Sequence, residues 1–276
     1  MTLMDGKSLR DELLQKYKEK IEKESLAIRL DIITVGEDAA SEVYVRNKVK
    51  YATEVGIEVI THKLANSVGE KDIIELIDEL NSNDKVTGII LQSPIPDGLD
   101  FKKCAGRIAH HKDIDGFTLY NIGNLYLGRE SLVPCTVKGI MILLEHYKID
   151  LKGKNVTVVG RSEIVGKPLT LALINRDATV TVCHSKTRDL VEHTKNADIV
   201  ISAVGKKGVI TEDMVADGFV GIDVGINRIE GKLYGDFDFE GVASKASFIT
   251  PVPGGVGPMT VAMIIDNLII AKTMKR

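Results

Sequence analysis

The segment EVYVRNK, residues 42 to 48, places Tyr44 and Lys48 four residues apart. On a helix, side chains at that spacing lie one turn apart on the same face, so a phenol and an ammonium group would share one small surface. Such a pair can transfer protons or orient a substrate. A tyrosine that packs on the stem of a lysine is also common on helix surfaces, so the pair alone leaves both interpretations open.

A second segment that could do chemistry is VTVVGRSEIVGKPL, residues 156 to 169, which is typical of a strand, a tight turn and a helix. Gly160 permits the turn, Gly166 suits a close approach of helix and strand, and Pro168 suits the first turn of a helix. Backbone amides at such a helix start can face the pyrophosphate of a dinucleotide. The spacing G-x-S-x-x-x-G departs from GxGxxG, so an ordinary strand–helix turn is the alternative.

The end of the next strand indicates which dinucleotide this turn would bind. An NAD site usually places an Asp or Glu on the ribose about 20 residues after the turn. Here the strand TVTVCHS leads into SKTR, residues 185 to 188, without an acidic residue. Ser185 and Lys186, with Arg161 nearby, would hold a 2′-phosphate that a carboxylate would repel. The sequence therefore predicts NADP rather than NAD, with a solvated polar loop as the alternative.

The composition excludes several classes of protein. The 276 residues carry 36 Lys and Arg against 39 Asp and Glu, a net charge of -3, so no global basic field would attract nucleic acid. The three cysteines, Cys104, Cys135 and Cys183, form no CxxC motif, which argues against a disulfide framework and a zinc site. We therefore expect no metal and no nucleic-acid partner.

Two terminal segments bear on location. The start, MTLMDGKSLRDELL, lacks the basic and then apolar pattern of a signal peptide. The C-terminal TVAMIIDNLIIAK is apolar, but it is short for a membrane span and is interrupted by Asp266 and Asn267. The sequence predicts a buried helix there, no membrane association and a cytoplasmic protein.

Apolar periodicity predicts two series of alternating strands and helices. A stripe of Leu9, Leu13, Tyr17 and Ile21 predicts a helix over 7–24, and AIRLDIITVG predicts a strand. Helical patterns near 40–55 and 70–81 then alternate with IEVITHKL and TGIILQS, and a second series runs from about 140 to 255. This alternation is typical of parallel sheets in an α/β fold, whereas 94–136 is predicted to be mostly loop.

Tyr-x-x-x-Lys is also the catalytic signature of short-chain dehydrogenases. In those enzymes the cofactor turn lies near the N-terminus and the tyrosine follows it, whereas here Tyr44 precedes Gly160 by over a hundred residues. The order argues against that class. Tyr44 and Lys48 belong to a different domain from the cofactor turn, and as catalytic groups they would act across an interdomain cleft.

Nine short motifs follow one another along nearly the whole chain. In order, they are ASEVYVRNK, GIILQSPIP, KDIDGF, PCTVKG, VVGRSEIVGKP, HSKT, DVGIN, GDFDF and TPVPGGVGPMT. In these motifs the chain resembles the bifunctional methylenetetrahydrofolate dehydrogenase/methenyltetrahydrofolate cyclohydrolase family. Two positions depart from the family's usual pattern, Ser93 in place of Leu and Val137 in place of Pro, and neither removes a reacting group.

The resemblance implies two α/β domains with the active site in the cleft between them. A folate-binding catalytic domain would cover residues 1–118, and a C-terminal helix at 258–276 would pack back onto it. A Rossmann-like NADP domain would cover residues 119–257. The implied partners are tetrahydrofolate one-carbon substrates and a second copy of the chain in a homodimer.

The resemblance also implies the roles of individual residues. Lys48 would be the acid/base residue, Gln92 would orient it, Tyr44 would pack on the folate, and Asp115 would bind the pterin's amino-pyrimidine edge. The implied cofactor-binding residues are Gly160, Arg161, Ser162, Ser185 and Ile226, and Pro253, Gly254 and Gly255 would bring backbone close to the substrate.

Two other functions are compatible with the residues alone. One is a different two-domain NADP dehydrogenase, for example one acting on a cyclic hydroxy acid. The other is a nucleotide-sensing module whose first domain binds a partner. Convergence of Tyr44, Lys48, Gln92 and Asp115 on one site would argue against both.

Overall fold

The computed structural model describes residues 1–129 and 132–274, except for the side chains of residues 39 and 40. Strands and helices alternate along most of the chain. The strands are β1 Thr2–Leu3, β2 Arg29–Val35, β3 Glu58–Leu64, β4 Gly88–Leu91, β5 Asn155–Val159, β6 Thr179–Cys183, β7 Ile199–Ser202, β8 Val220–Asp223, β9 Asn227–Ile229, β10 Lys232–Tyr234 and β11 Phe248–Ile249. The helices are α1 Gly6–Lys23, α2 Ala39–Glu54, α3 Glu70–Ser82, α4 Phe101–Ala105, α5 Leu119–Tyr126, α6 Cys135–His146, α7 Gly166–Ile174, α8 Leu190–Lys195, α9 Phe239–Ala243 and α10 Val256–Thr273.

The chain forms two compact α/β units, as the sequence predicts. The three-stranded unit comprises Asp11–Cys135 and Val261–Arg276, and the six-stranded unit comprises Met1–Arg10 and Thr136–Thr260. This division differs from the predicted one, because the boundary follows residue 135 rather than 118 and the first ten residues group with the six-stranded unit.

Polar contacts explain why the residues after 118 group with the three-stranded unit. The Asn121 side-chain amide donates to the carbonyl of His110 and to Asp113 Oδ2, each at 2.9 Å. The thiol of Cys135 donates to the carbonyl of Ile114 at 3.3 Å. These contacts join residues of α5 and α6 to residues of the preceding loop, and apolar periodicity does not reveal such partners.

A parallel sheet forms the centre of the three-stranded unit. Its strand order is β3-β2-β4, and both pairings are parallel. Helix α3 buries Ile73, Ile77 and Leu80, at i, i+4 and i+7, against Ile33 and Ile89 of the sheet. Burial of each such side chain contributes about 1.5–3 kcal/mol, so this apolar face fixes the helix on the sheet.

Helix α10 is a core helix from residue 261 onward. This helix of 18 residues is long and apolar enough to span a membrane, judged by length and composition alone. The expectation that the segment is too short for a membrane span is therefore wrong. Burial accounts for this apolar character, because Met263, Leu268 and Ile269 are at most 2 % exposed. Gly88 of β4 lies so close to Leu268 that a Cβ atom there would approach its Cδ2 to 2.7 Å.

The six-stranded unit contains a second parallel sheet with the strand order β1-β11-β8-β7-β5-β6. Every pairing in it is parallel, as the second alternating series predicts. Two features were not predicted. Strand β1 adds an edge to this sheet, and β9 and β10 form an antiparallel hairpin whose turn residues Glu230 and Gly231 both have positive φ.

The prediction of loop over 94–136 is wrong in part, because α4 and α5 lie in this segment. Each has a side-chain cap at its N-terminus. The Asp100 carboxylate accepts from the amides of Lys102 and Lys103, and the Thr118 hydroxyl accepts from the amide of Asn121. These caps are local signals in the sequence, masked by the segment's many Pro, Gly, Asp and Asn residues.

Candidate active site

The ammonium of Lys48 is held by a neutral partner. Tyr44 and Lys48 lie one turn apart on α2, and Lys48 Nζ donates to Gln92 Oε1 at 3.0 Å. Gln92 directly follows β4, and its own backbone amide donates to the Ile33 carbonyl at 2.9 Å. The carboxyl end of a parallel strand therefore presents the amide that orients Lys48, at the edge of a sheet where ligands gather.

The start of α2 is tied to the same strand end. The helix is capped by Asp38, whose Oδ1 accepts from the Ser41 amide at 2.7 Å. The Ser41 hydroxyl donates to the carbonyl of Ser93 at 3.2 Å, and the side-chain amide of Gln92 donates to that same carbonyl at 2.7 Å. Helix α2 is thus joined to the segment after β4 at two points, through Ser41 and through Lys48, and this fixes the position of Lys48 relative to Gln92.

Asp115 lies in the field of Lys48 in the same unit. Burial raises the pKa of Asp115 above its ordinary value, the nearby Lys48 ammonium opposes this rise, and the Asp113 carboxylate adds to it. Among the described residues, no hydrogen bond engages the Asp115 carboxyl group. That group is therefore available to a ligand.

Asp113, which the sequence analysis did not single out, folds the loop that carries Asp115. Its Oδ1 accepts from the amides of Gly116 at 3.0 Å and Phe117 at 3.2 Å, and its Oδ2 accepts from the amide of Thr118 at 2.8 Å. In the DxDG turn, Asp113 therefore accepts the hydrogen bonds of the backbone amides, and the Asp115 carboxyl group is not needed for them. Only the backbone path distinguishes the two roles.

Tyr44 has a ring that solvent and ligands can reach. Its side chain is 44 % exposed, which is high for a large aromatic residue. The exposed ring, one helical turn from Lys48, can pack on a planar ligand. Lys48, Gln92 and Asp115 are therefore brought together by side-chain contacts and charge, and Tyr44 by its place on α2.

The six-stranded unit contains the predicted dinucleotide turn. Gly160 has a φ of 127° after β5, and a Cβ atom there would lie 2.5 Å from the Ala203 carbonyl oxygen. A Cβ atom on Gly166 would overlap the Gly160 carbonyl. Both glycines are thus required by close backbone approaches, which is the geometry of a nucleotide-binding turn.

Ser162 has a structural role in addition to the one predicted from the resemblance. Its Oγ accepts from the amides of Val165 at 3.2 Å and Gly166 at 3.3 Å, at the start of α7. These are two of the amides expected to face a pyrophosphate. The hydroxyl hydrogen of Ser162 is still able to donate to a phosphate oxygen.

The loop after β6 is folded by its own side chains. The His184 amide donates to Thr187 Oγ1 at 2.8 Å, and the Lys186 amide donates to His184 Nδ1 at 3.1 Å. Ser185 and Lys186 are exposed in this loop, as is Arg161 in the turn after β5. The side chains that would hold a 2′-phosphate are thus accessible, whereas Thr187 is used by the loop.

The other predicted binding residues also lie in the six-stranded unit. Ile226 follows β8 and is 43 % exposed. The loop of Pro253, Gly254 and Gly255 is closed by a bond from the Gly255 amide to the Pro251 carbonyl at 2.8 Å. The amide of Lys7 donates to the Gly254 carbonyl at 3.0 Å, which explains why the chain's first residues group with this unit.

Two buried carboxylates, Asp223 and Asp236, shape the loops after β7 and β8. The Asp223 carboxylate accepts from the backbone amides of Gly225, Asp236 and Phe237 at 2.8–3.0 Å. Asp236 accepts from the Ser202 hydroxyl and from the amides that follow β7. The motifs DVGIN and GDFDF contain these two residues, and sequence reasoning gave neither a role.

The comparison with protein families agrees with this geometry. The catalytic domain of the tetrahydrofolate dehydrogenase/cyclohydrolase family matches residues 4–115, and the family's NAD(P)-binding domain matches residues 134–276. The chain belongs to this family.

Relatives match over nearly the full length of the chain. The bifunctional protein FolD of Moorella thermoacetica is 50 % identical and covers 98 % of both chains. The crystal structure of the bifunctional FolD of Campylobacter jejuni is 44 % identical with a TM-score of 0.97, covering 99 % of this chain and 98 % of that one. A Trypanosoma brucei FolD structure, in complex with NADP and an inhibitor, is 32 % identical with a TM-score of 0.94, covering 99 % and 97 %.

The acidic pair in the six-stranded unit predicts a specific pH dependence of stability. Burial, the largest effect, raises the pKa of Asp223 from 3.8 to about 6. Between these pH values, Asp223 is protonated in the folded protein and ionised in the unfolded chain. Its contribution to the free energy of unfolding is therefore complete below pH 4 and is lost as the pH rises through 6. The shift corresponds to about 3 kcal/mol.

Asp223→Asn cannot ionise, so its free energy of unfolding should fall less between pH 4 and pH 7 than that of the wild type. Urea unfolding at a series of pH values measures this difference. Asp198→Asn is the control, because Asp198 is an exposed carboxylate that also accepts a backbone amide bond, from Asn155 at 2.8 Å. The Asp198 variant should keep the wild-type pH dependence. Parallel pH curves for Asp223→Asn and wild type would contradict the prediction.

Proposed function

We propose that this chain oxidises 5,10-methylenetetrahydrofolate to the methenyl form with NADP and hydrolyses that product to 10-formyltetrahydrofolate, with Lys48, Gln92, Tyr44 and Asp115 as its catalytic site. The contact from Lys48 Nζ to Gln92 Oε1 carries the proposal. It lies in the segment that matches the family's catalytic domain, and the amine that it orients is close enough to the partly buried Asp115 carboxyl group to lower its pKa.

The residues of the six-stranded unit fit NADP. Gly160 and Gly166 leave room that a Cβ atom would fill, and exposed Arg161, Ser185 and Lys186 offer cations and a hydroxyl for the 2′-phosphate. No carboxylate lies among residues 184–188 to repel that phosphate. When bound, NADP supplies the acceptor for the hydride that leaves the folate's one-carbon bridge.

Loss of the hydride leaves positive charge on the folate's amidinium, which limits what Lys48 can do in this step. An ammonium about 4 Å away would oppose the developing charge by about 4 kcal/mol at an effective dielectric constant of ~20. Lys48 must therefore be neutral or turned away during oxidation. In this step it positions the substrate and does not act as an acid.

Hydrolysis of the methenyl product needs a base. Water adds to the methenyl carbon and must lose a proton, and a neutral Lys48 amine can accept that proton. The bond from this carbon to N5 then breaks, N5 takes up a proton, and the carbon remains on N10 as the formyl group. Gln92 suits both states of Lys48, because its carbonyl oxygen accepts a hydrogen bond from an amine as well as from an ammonium. A carboxylate in the same place would favour the ammonium alone.

Asp115 and Tyr44 bind the substrate in this proposal. The Asp115 carboxyl group can accept two hydrogen bonds from the amino-pyrimidine edge of the pterin, and its partial burial strengthens such bonds. The Tyr44 ring packs on the aromatic part of the folate. A dehydrogenase for a cyclic hydroxy acid would not require this set of groups, and a nucleotide sensor would not require an oriented lysine.

The same resemblance supports three wider proposals. The protein is a homodimer, it works in the cytoplasm without a membrane or nucleic-acid partner, and its 10-formyl product supplies purine biosynthesis. The net charge of -3 is compatible with these proposals. A mass of one chain by light scattering would contradict the dimer.

Cofactor preference is the first prediction of this proposal. The value of kcat/KM should be higher with NADP than with NAD, because Arg161, Ser185 and Lys186 are exposed and no carboxylate lies among residues 184–188 to repel a 2′-phosphate. The double variant Arg161→Ala/Ser185→Asp removes a cation and introduces an acid, so it should narrow or reverse the preference. Initial rates with both cofactors measure it, and equal rates for the wild type would refute it.

The division of work at Lys48 is the second prediction. Lys48→Met keeps the volume of the stem and removes the amine. Cyclohydrolase activity should fall by about 10²–10⁴, the usual contribution of a general base, while dehydrogenase activity falls much less. The methenyl product should then accumulate, and its absorbance follows both steps in one assay. Parallel loss of both activities with intact substrate binding would contradict this division.

Tyr44→Phe is the matched control on the same face of α2. It keeps the ring and removes the hydroxyl, so it should reduce both activities only moderately if the ring packs on the folate. Abolished hydride transfer in this variant would instead identify the phenol as an acid and would overturn the packing role given to Tyr44.

A further inference from the structure

Asn267 is a fully buried amide on helix α10, where it follows Asp266 in a segment that is apolar on both sides of this pair. Its exposure is 0 %, and its neighbours Ile264, Leu268 and Ile269 are buried with it. A buried amide is costly unless it is hydrogen-bonded, and an apolar residue would suit this helix better. We therefore expect the side chain of Asn267 to be hydrogen-bonded to a buried polar group.

That partner is the backbone of the loop that carries Asp115. Asn267 Nδ2 donates to the Ile114 carbonyl at 2.8 Å and to the Val133 carbonyl at 2.9 Å. The Ile114 carbonyl also accepts from the thiol of Cys135 at 3.3 Å. It belongs to the peptide group that joins residues 114 and 115, so Asn267 fixes the plane from which the Asp115 side chain starts.

The other side of Asp115 is fixed as well. The Gly116 amide donates to Asp113 Oδ1, and a Cβ atom on Gly116 would lie 2.7 Å from both the Leu132 carbonyl oxygen and the Pro134 nitrogen. The peptide after Asp115 therefore cannot shift freely. The direction of the carboxyl group is determined by two anchors, of which Asn267 is the more distant in sequence.

We propose that Asn267 is a positioning residue for Asp115, acting through the Ile114 carbonyl. It touches neither substrate nor cofactor. The inference rests on the proposed role of Asp115 in binding the pterin edge. Without the amide, the Ile114 and Val133 carbonyls lose donors in a buried place, the 114–115 peptide turns toward another partner, and the carboxyl group leaves its productive direction.

The test is a double-mutant cycle with Asn267→Leu and Asp115→Asn, measured as kcat and KM for methylenetetrahydrofolate at saturating NADP. Asn267→Leu alone should lower kcat/KM about 10–100-fold, because misplacing a binding group by about 1 Å has effects of that size. The KM for NADP should stay within about 2-fold of the wild type. In the Asp115→Asn background, Asn267→Leu should lower kcat/KM by less than about 3-fold, since the group it positions is already disabled.

Tyr17→Phe is the control for a merely structural effect. Tyr17 donates to Asp266, the neighbour of Asn267 on α10, so this variant removes another polar contact of the same helix in the same unit. It should change thermal stability without changing the KM for folate. Asn267→Ser, which is smaller than the wild-type side chain, serves if the leucine variant does not fold, and it should show the same non-additivity.

The outcomes separate this inference from the proposed function. Equal fold losses from Asn267→Leu in both backgrounds, or wild-type kinetics in Asn267→Leu alongside a large loss in Asp115→Asn, would overturn the inference alone. Wild-type kinetics in Asp115→Asn would overturn the role of Asp115 and the inference with it.

Discussion

The hydrogen bond between Lys48 and Gln92 is the interaction on which the proposed catalytic site depends. It joins a helix to the end of a parallel strand at 3.0 Å, and it does so with a neutral acceptor. In the proposed mechanism, this lysine must tolerate positive charge on the substrate during oxidation and take a proton from water during hydrolysis. A neutral partner leaves both states of the amine accessible, which a carboxylate in its place would not.

Buried carboxylates hold the loops around the functional residues in both units. Asp113 folds the loop of Asp115, and Asp223 and Asp236 fold the loops after β7 and β8. Each accepts several backbone amides that would otherwise be buried without partners, which is a large cost. The loops at the carboxyl ends of these strands therefore have defined paths, and the accessible groups on them keep their directions.

Local patterns predicted much of this arrangement. The four-residue spacing placed Tyr44 and Lys48 on one helix face, whereas the contact of Gln92 with Lys48 was implied by the family resemblance. Contacts between residues that are distant in the sequence could not be predicted from local patterns. Asn267 looked like an interruption in an apolar helix, although its side chain donates to a carbonyl 153 residues away. Asp113 was overlooked for a related reason, because two acids in one turn have the same chemistry until the backbone path assigns their partners.

The most direct test of the central claim replaces the neutral acceptor with a charged one of the same size, Gln92→Glu, and measures the pH dependence of cyclohydrolase activity. A carboxylate beside Lys48 favours the ammonium, so the rise of activity with pH should move to higher pH by about 1 unit or more. Dehydrogenase activity should also fall at neutral pH, because the ammonium opposes the amidinium. An unchanged pH profile with near-normal rates would contradict the account, since it would mean that Gln92 does not control the state of Lys48.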